Sequence, residues 1–256
     1  MSDLQDDEVK LTANANGSFP VTQWSLVQRA GANTDTQARG ALESLCRHYW
    51  YPLYAYARRH GRDHHQAEDS TQEFLAHLLA DEGLQRARPE RGRFRTFLLS
   101  GLRNFLTSEW RQTQTARRGG GFAPLPLGEP GPNDQRRLEA VDPGLSPEQI
   151  FDRTWALGVV DRAVYDLRAE YATSGRAKIF EALAPLIWGN ENADALAQHA
   201  AATGLTVNSF TVALHRARRR LGDRLRAVVA ETVADPSEID AELRHLVSAI
   251  GARGSA

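Results

Sequence analysis

Apolar residues recur along this chain at steps of three and four, the spacing of one face of an α-helix, and almost nowhere in strict alternation. The first such pattern follows Thr22, which can cap a helix holding Trp24, Leu26 and Val27. A second runs from Ala41 to Arg59 and carries Leu45, Tyr49, Leu53 and Tyr56; Pro52 falls inside it, where a kink or a split is expected. His65 to Ala80 sets Ala67, Thr71, Phe74, Leu75, Leu78 and Leu79 on one side. Phe94 to Arg111 repeats the theme with Phe94, Phe97, Leu98, Gly101, Leu102 and Phe105 as its core stripe. No convincing period-two strand lies among them, so the pattern predicts a helical bundle over residues 21–111.

The periodicity then stops. Residues 112–145 contain Gly119, Gly120, Gly121, Pro124, Pro126, Gly128, Pro130, Gly131, Pro132, Pro143 and Gly144, the composition of a flexible linker. Roughly 34 flexible residues have an end-to-end distance of about 30–35 Å and a fully extended reach on the order of 110 Å. Helical spacing resumes at Ser146, an N-cap followed by Pro147 at the first helical position, and runs through Ile150, Phe151, Trp155, Val159, Ala163 and Tyr165. It breaks near Ser174 and Gly175 and returns from Ala177 to Trp188. Asp194 to Thr203 is an alanine-rich helix ending at Gly204, and a further helix follows Leu205 and Thr206. The expectation is all-α: two helical domains, 21–111 and 146–230, joined by the linker. A polar tail at 1–20 is expected to be disordered, and 231–256 forms an acidic extension. In that extension Asp235, Pro236 and Ser237 start a short amphipathic helix bearing Ile239, Leu243 and Leu246.

Charge sharpens this picture. The 256 residues balance 31 Lys and Arg against 32 Asp and Glu, yet the only lysines are Lys10 and Lys178. Nine arginines stand between Leu84 and Arg118 against two acids, Glu90 and Glu109. Acids gather instead at Asp3 to Glu8, at Glu68, Asp69 and Glu73, and beyond Glu231. Such segregation points to an anionic partner for some surfaces and a basic partner for others. Cys46 is the single cysteine, which excludes an intramolecular disulfide. The first residues are acidic without an apolar h-region, and no run is long enough to span a bilayer, so a cytoplasmic protein with no membrane partner is expected.

The last predicted helix carries the most distinctive chemistry. Phe210, Leu214, Ala217 and Leu221 form its apolar face, while Asn208, Ser209, Thr211, Val212, His215, Arg216, Arg219 and Arg220 project elsewhere. With the helix before Gly204 it makes a helix-turn-helix, whose second helix offers its N-terminal half to base edges and its arginines to phosphates. Arg218 falls nearer the buried side, where an internal partner is expected, and His199 is read as a half-buried histidine. A rival reading is a metalloenzyme, since His64, His65, Glu68, Asp69, Glu73 and His77 share one helix; the facing helices, however, hold no matching ligands. Gly119 to Gly121 lacks the Lys and Ser/Thr of a phosphate loop. No catalytic residue, metal or other cofactor is assigned, and an enzyme is not expected. A third reading is a helix-turn-helix regulator that binds duplex DNA without polymerase.

Leu205, Thr206 and Val207 followed by Leu214 to Leu221 resemble the final recognition helix of bacterial RNA polymerase sigma factors of the extracytoplasmic-function (ECF) type, in the sigma-70 superfamily. Tyr51-Pro52-Leu53-Tyr54, Ala67 to Phe74, and Phe94 to Leu98 with Arg103 and Asn104 resemble successive regions of the sigma-2 domain, in order. The resemblance spans about Val21 to Val229 and implies a sigma-2-like bundle and a sigma-4-like helix-turn-helix. It implies that Glu68, Asp69, Gln72 and Glu73, opposite Phe74 and Leu78, dock on a coiled coil of the polymerase largest subunit, with the flap as a second contact. Asp81 to Arg111 would then capture the minus-10 element and hold it open, with Arg86, Arg88, Arg91, Arg93, Arg95, Arg103 and Arg111 on phosphates, Asn104 on a base edge or backbone, and Trp110 stacked on a base. The helix-turn-helix would hold the minus-35 element as duplex. An anti-sigma factor, or a protein kinase acting near Ser70 and Thr71, is left open as a regulatory partner. The extension 231–256 either folds against the basic recognition helix or simply extends the packing.

Overall fold

The computed structural model describes residues 36–80, 93–115, 144–189 and 192–252. Eight α-helices and no strand occur among them: α1 (Thr36–Arg59), α2 (His64–Ala80), α3 (Phe94–Thr115), α4 (Pro147–Thr173), α5 (Ala177–Leu183), α6 (Ala193–Thr203), α7 (Val207–Ala230) and α8 (Ile239–Gly251). The all-α expectation therefore holds. The pattern after Thr22 lies outside the described residues, as does most of the linker. No described helix is long and apolar enough to cross a membrane.

Helix boundaries follow local chemistry. Ser146 caps α4 through a reciprocal box with Gln149, with Pro147 in the first turn where its missing N–H costs nothing. Gly175 (φ 71°) follows the end of α4, and Gly204 (φ 72°) closes α6, each in the left-handed region that a residue with a Cβ enters only at a cost. Thr206 then caps α7, its Oγ1 accepting from the Ser209 N–H at 3.2 Å. Thr206→Ala is expected to cost about 1 kcal/mol, seen as a lower denaturation midpoint; an unchanged midpoint would mean that water caps α7 equally well. Pro52 causes no split: it lies inside the unbroken α1. Leu53 is fully buried and Tyr49 and Tyr56 nearly so, and this burial holds the helix across the hydrogen bond that proline omits.

The helices on the two sides of the linker are packed together. α1 lies along α4, which in turn contacts α7 and α8. One hydrophobic cluster joins Tyr49, Phe74 and Leu98 of the first group to Phe151, Trp155 and Phe210 of the second. Further ties cross between them: Arg59 Nε donates to the Leu145 carbonyl at 2.9 Å, and the Tyr56 hydroxyl donates to Glu148 at 3.5 Å. Helix α3 runs on to Thr115, and Leu145 is buried, so both ends of the expected linker are drawn into the helical body.

Candidate functional site

Helix α2 separates its residue types by face. Ala67, Ser70, Thr71, Phe74, Leu75 and Leu78 are buried, Glu68 and Gln72 are half-buried, and Asp69 and Glu73 are exposed. The acids expected to meet polymerase thus form a row along the outer side. Partial desolvation pushes the Glu73 carboxyl up from its ordinary value, with Glu109 and Asp69 adding repulsion. Glu109 itself is anchored by Arg62, whose Nη2 stands 3.0 Å from its carboxylate. The hydroxyls of Ser70 and Thr71 face inward, donating to the Gln66 and Ala67 carbonyls at 2.7 Å each. A kinase would reach either residue only after the helix turned or opened. His64 is held between the Tyr54 hydroxyl, at 2.8 Å, and Glu68, at 3.5 Å. No group of three His, Cys, Asp or Glu residues placed to hold a metal occurs among the described residues.

Helix α3 keeps its apolar stripe inward: Phe94, Leu98, Leu102 and Leu106 are buried, while Phe97 and Phe105 pack partly against them. Arg103 and Asn104 lie on the opposite, exposed side. Arg86, Arg88 and Arg91 fall outside the described residues, as do the side chains of Trp110 and Arg111. The remaining two arginines are differently placed. Arg93 is half-buried, and Arg95 is 7 % exposed, its guanidinium 4.8 Å from the Trp155 ring centroid. Arg95 bonds Asp152 of α4 through Nη1 at 3.0 Å, and grips Glu242 of α8 through Nε and Nη2 at 2.9 and 3.2 Å.

Helix α7 leaves its polar side open. Asn208, Ser209, Thr211, Val212, His215, Arg216, Arg219 and Arg220 are all exposed, while Phe210, Leu214, Ala217 and Leu221 are buried against the rest of the domain. Two of the small polar groups are already engaged: the Thr206 hydroxyl donates to Ser209 Oγ at 2.9 Å, and the Thr211 hydroxyl donates to the Val207 carbonyl at 2.9 Å. Arg220 and Arg224 share Glu170 of α4, at 2.9 and 2.8 Å. Arg218 turns inward and donates to the Leu186 and Ile187 carbonyls at 2.8 and 3.1 Å, the internal role expected of it. His199 is half-buried, its ring stacked with Phe210 at 6.4 Å between centroids.

The C-terminal extension forms α8, beyond the end of α7. It packs on α4 and α7, with Arg226 Nη1 2.7 Å from Asp240. Glu242, which the apolar-stripe reading of α8 passed over, is 1 % exposed. Its signal was present: it stands three residues after Ile239 and four before Leu246, an acid on the apolar stripe itself.

Residues 45–116 match the family model described as Sigma-70 region 2. No curated protein and no solved structure matches the chain significantly. The matched segment contains α2 with its outward acids and the whole of α3. Residues 45–116 are thus similar to Sigma-70 region 2, and this likeness covers less than a third of the chain.

Proposed function

We propose that the chain is an ECF-type sigma factor in which α2 docks on core RNA polymerase, residues 81–111 capture the minus-10 element, and α7 holds the minus-35 element as duplex. The observation that carries the reading is the conjunction of a region 2 match over 45–116 with a helix-turn-helix whose eight candidate DNA-facing residues are all exposed. Glu68, Asp69, Gln72 and Glu73 are the polymerase contacts, aimed at the largest-subunit coiled coil, and the helix-turn-helix domain meets the flap. Opening DNA costs stacking of about 1.4 kcal/mol per step. A protein without a fuel nucleotide offsets that cost only by binding the separated strand. The arginines of 86–111, with Asn104 and Trp110, supply phosphate and base contacts for it. Work on core polymerase places the protein in the cytoplasm, and its role there is binding rather than catalysis.

The deciding experiment mixes the purified chain with bacterial core polymerase and measures complex formation and transcription from the promoter upstream of its own gene. Tight binding to duplex DNA without any complex with core polymerase would favour a helix-turn-helix regulator acting alone. Within the holoenzyme, Arg216→Ala is expected to lower promoter affinity and to make its salt dependence shallower by about 0.9 in log-log slope, the loss of one phosphate contact. An unchanged slope with altered base preference would move Arg216 among the base readers.

A further inference from the structure

Four charged groups meet where the start of α3, the side of α4 and the buried face of α8 come together. Glu242 receives the fork of Arg95, and Arg93 Nη1 approaches its second oxygen at 2.7 Å. Asp152 takes the remaining arm of Arg95 at 3.0 Å and faces His245 of α8 at 3.4 Å. Both ends of α8 are held: Arg153 donates to the Ile250 and Ala252 carbonyls at 2.8 and 2.9 Å, and Arg226 pairs with Asp240. Two guanidiniums converging on one oxyanion make the geometry in which arginine also takes a phosphate.

We propose that α8 is an intramolecular clasp: the Glu242 carboxylate occupies the Arg93–Arg95 anion site in place of a DNA phosphate, keeping the chain closed until the polymerase–promoter complex displaces it. The proposal rests on the reading of Arg93 and Arg95 as strand contacts. Distance requires an opening. Elements about 25 base pairs apart, as the names minus-10 and minus-35 imply, lie roughly 80 Å apart at about 3.4 Å per pair. A compact chain of this length has a radius of gyration of only about 18 Å. The closed packing of α1 on α4 cannot persist while both elements are held, whereas the linker can reach on the order of 110 Å when extended. Separating α3 from α4 and α8 strips Arg95 of Glu242 and Asp152 together. A strand phosphate arriving at the same two guanidiniums restores their pairing. The negative tail thereby also discourages binding of stray nucleic acid by the free protein.

The test uses the full chain, core polymerase and a single-stranded DNA oligonucleotide. In the free wild-type chain the amides of 239–251 are expected to be protected from hydrogen exchange, and to lose that protection when the chain enters a complex with core polymerase and promoter DNA. Glu242→Gln leaves two arginines facing a neutral amide in the closed form but costs nothing once they are solvated, so it favours opening. It is expected to loosen α8 without polymerase and to tighten oligonucleotide binding about tenfold, the factor by which a chain closed about nine-tenths of the time hides its site. Arg153→Gln, which frees the other end of α8 without touching the arginine pair, is expected to act in the same direction and covers the case of a misfolded Glu242→Gln. Persistent protection of α8 in the polymerase–promoter complex, or oligonucleotide affinity unmoved by both substitutions, would overturn the clasp. Failure of the wild-type chain to join core polymerase would instead sink the sigma reading, and the oligonucleotide measurement would still judge the clasp.

Discussion

Asp69→Lys combined with Glu73→Lys is expected to weaken binding to core polymerase by about a hundredfold, since like charges brought together at an interface cost several kcal/mol. Its effect on folding should be small. Both side chains are exposed on the outer side of α2, and surface changes away from special features stay within about 0.5 kcal/mol. The sign of the residual effect follows from Glu73. Its carboxyl is pushed up by partial desolvation, then by Glu109 and Asp69, so the folded state binds its proton more tightly than the unfolded chain. Stability from this group therefore falls as pH rises from the ordinary carboxylate value through the raised one, and the ionised residue works against folding at neutral pH. Replacing it removes that opposition and adds a cation beside Glu109. Binding assays with core polymerase, run beside thermal unfolding, separate the two effects. A variant that folds normally and still binds core polymerase at full strength would move the docking surface away from α2.

Signals lying within one helix were readable from the sequence. Ser146 before Pro147 and Gly204 before Thr206 each set a helix boundary through chemistry confined to a few neighbouring residues, and the structure places the boundaries there, whereas Asp235 caps a single 3-10 turn, Pro236–Glu238, that leads into α8. The stripe of Phe210, Leu214, Ala217 and Leu221 is likewise a property of one helix, as is the inward turn of Arg218. Facts belonging to pairs of distant segments were not readable. Arg95 and Glu242 are separated by 147 positions, and neither carries a local mark of the other. An arginine before an apolar stripe reads as a phosphate contact whether or not an acid covers it. In the same way, nothing in Tyr49 or Trp155 alone tells that α1 will lie along α4, because a linker rich in Gly and Pro permits contact and separation equally. Pro52 erred in the other direction: a strong local breaker was overruled by the burial of Tyr49, Leu53 and Tyr56 around it.

Phe210→Ala is expected to destabilise the closed chain by about 3–5 kcal/mol, the usual cost of emptying a fully buried aromatic site. Phe210 is 0 % exposed, one turn inside α7, and its ring stacks on His199 of α6, so it pins α7 to α6. Phe210→Leu keeps much of the volume and should cost distinctly less. How the loss is distributed is as informative as its size. The cluster holding Phe210 continues through Trp155 to Tyr49 and Phe74, so α7 is linked by unbroken packing to the helix that carries Asp69 and Glu73. If that packing persists in solution, the whole body melts in one transition and the substitution shifts it entirely, whether unfolding is followed through the helices before the linker or after it. Two independent domains would instead show two transitions, with only the one containing 146–230 displaced. Adding Glu242→Gln to Phe210→Ala sharpens the distinction. Opening the clasp uncouples the halves, so the double variant should return the first domain to its own melting point while leaving the helix-turn-helix domain weakened.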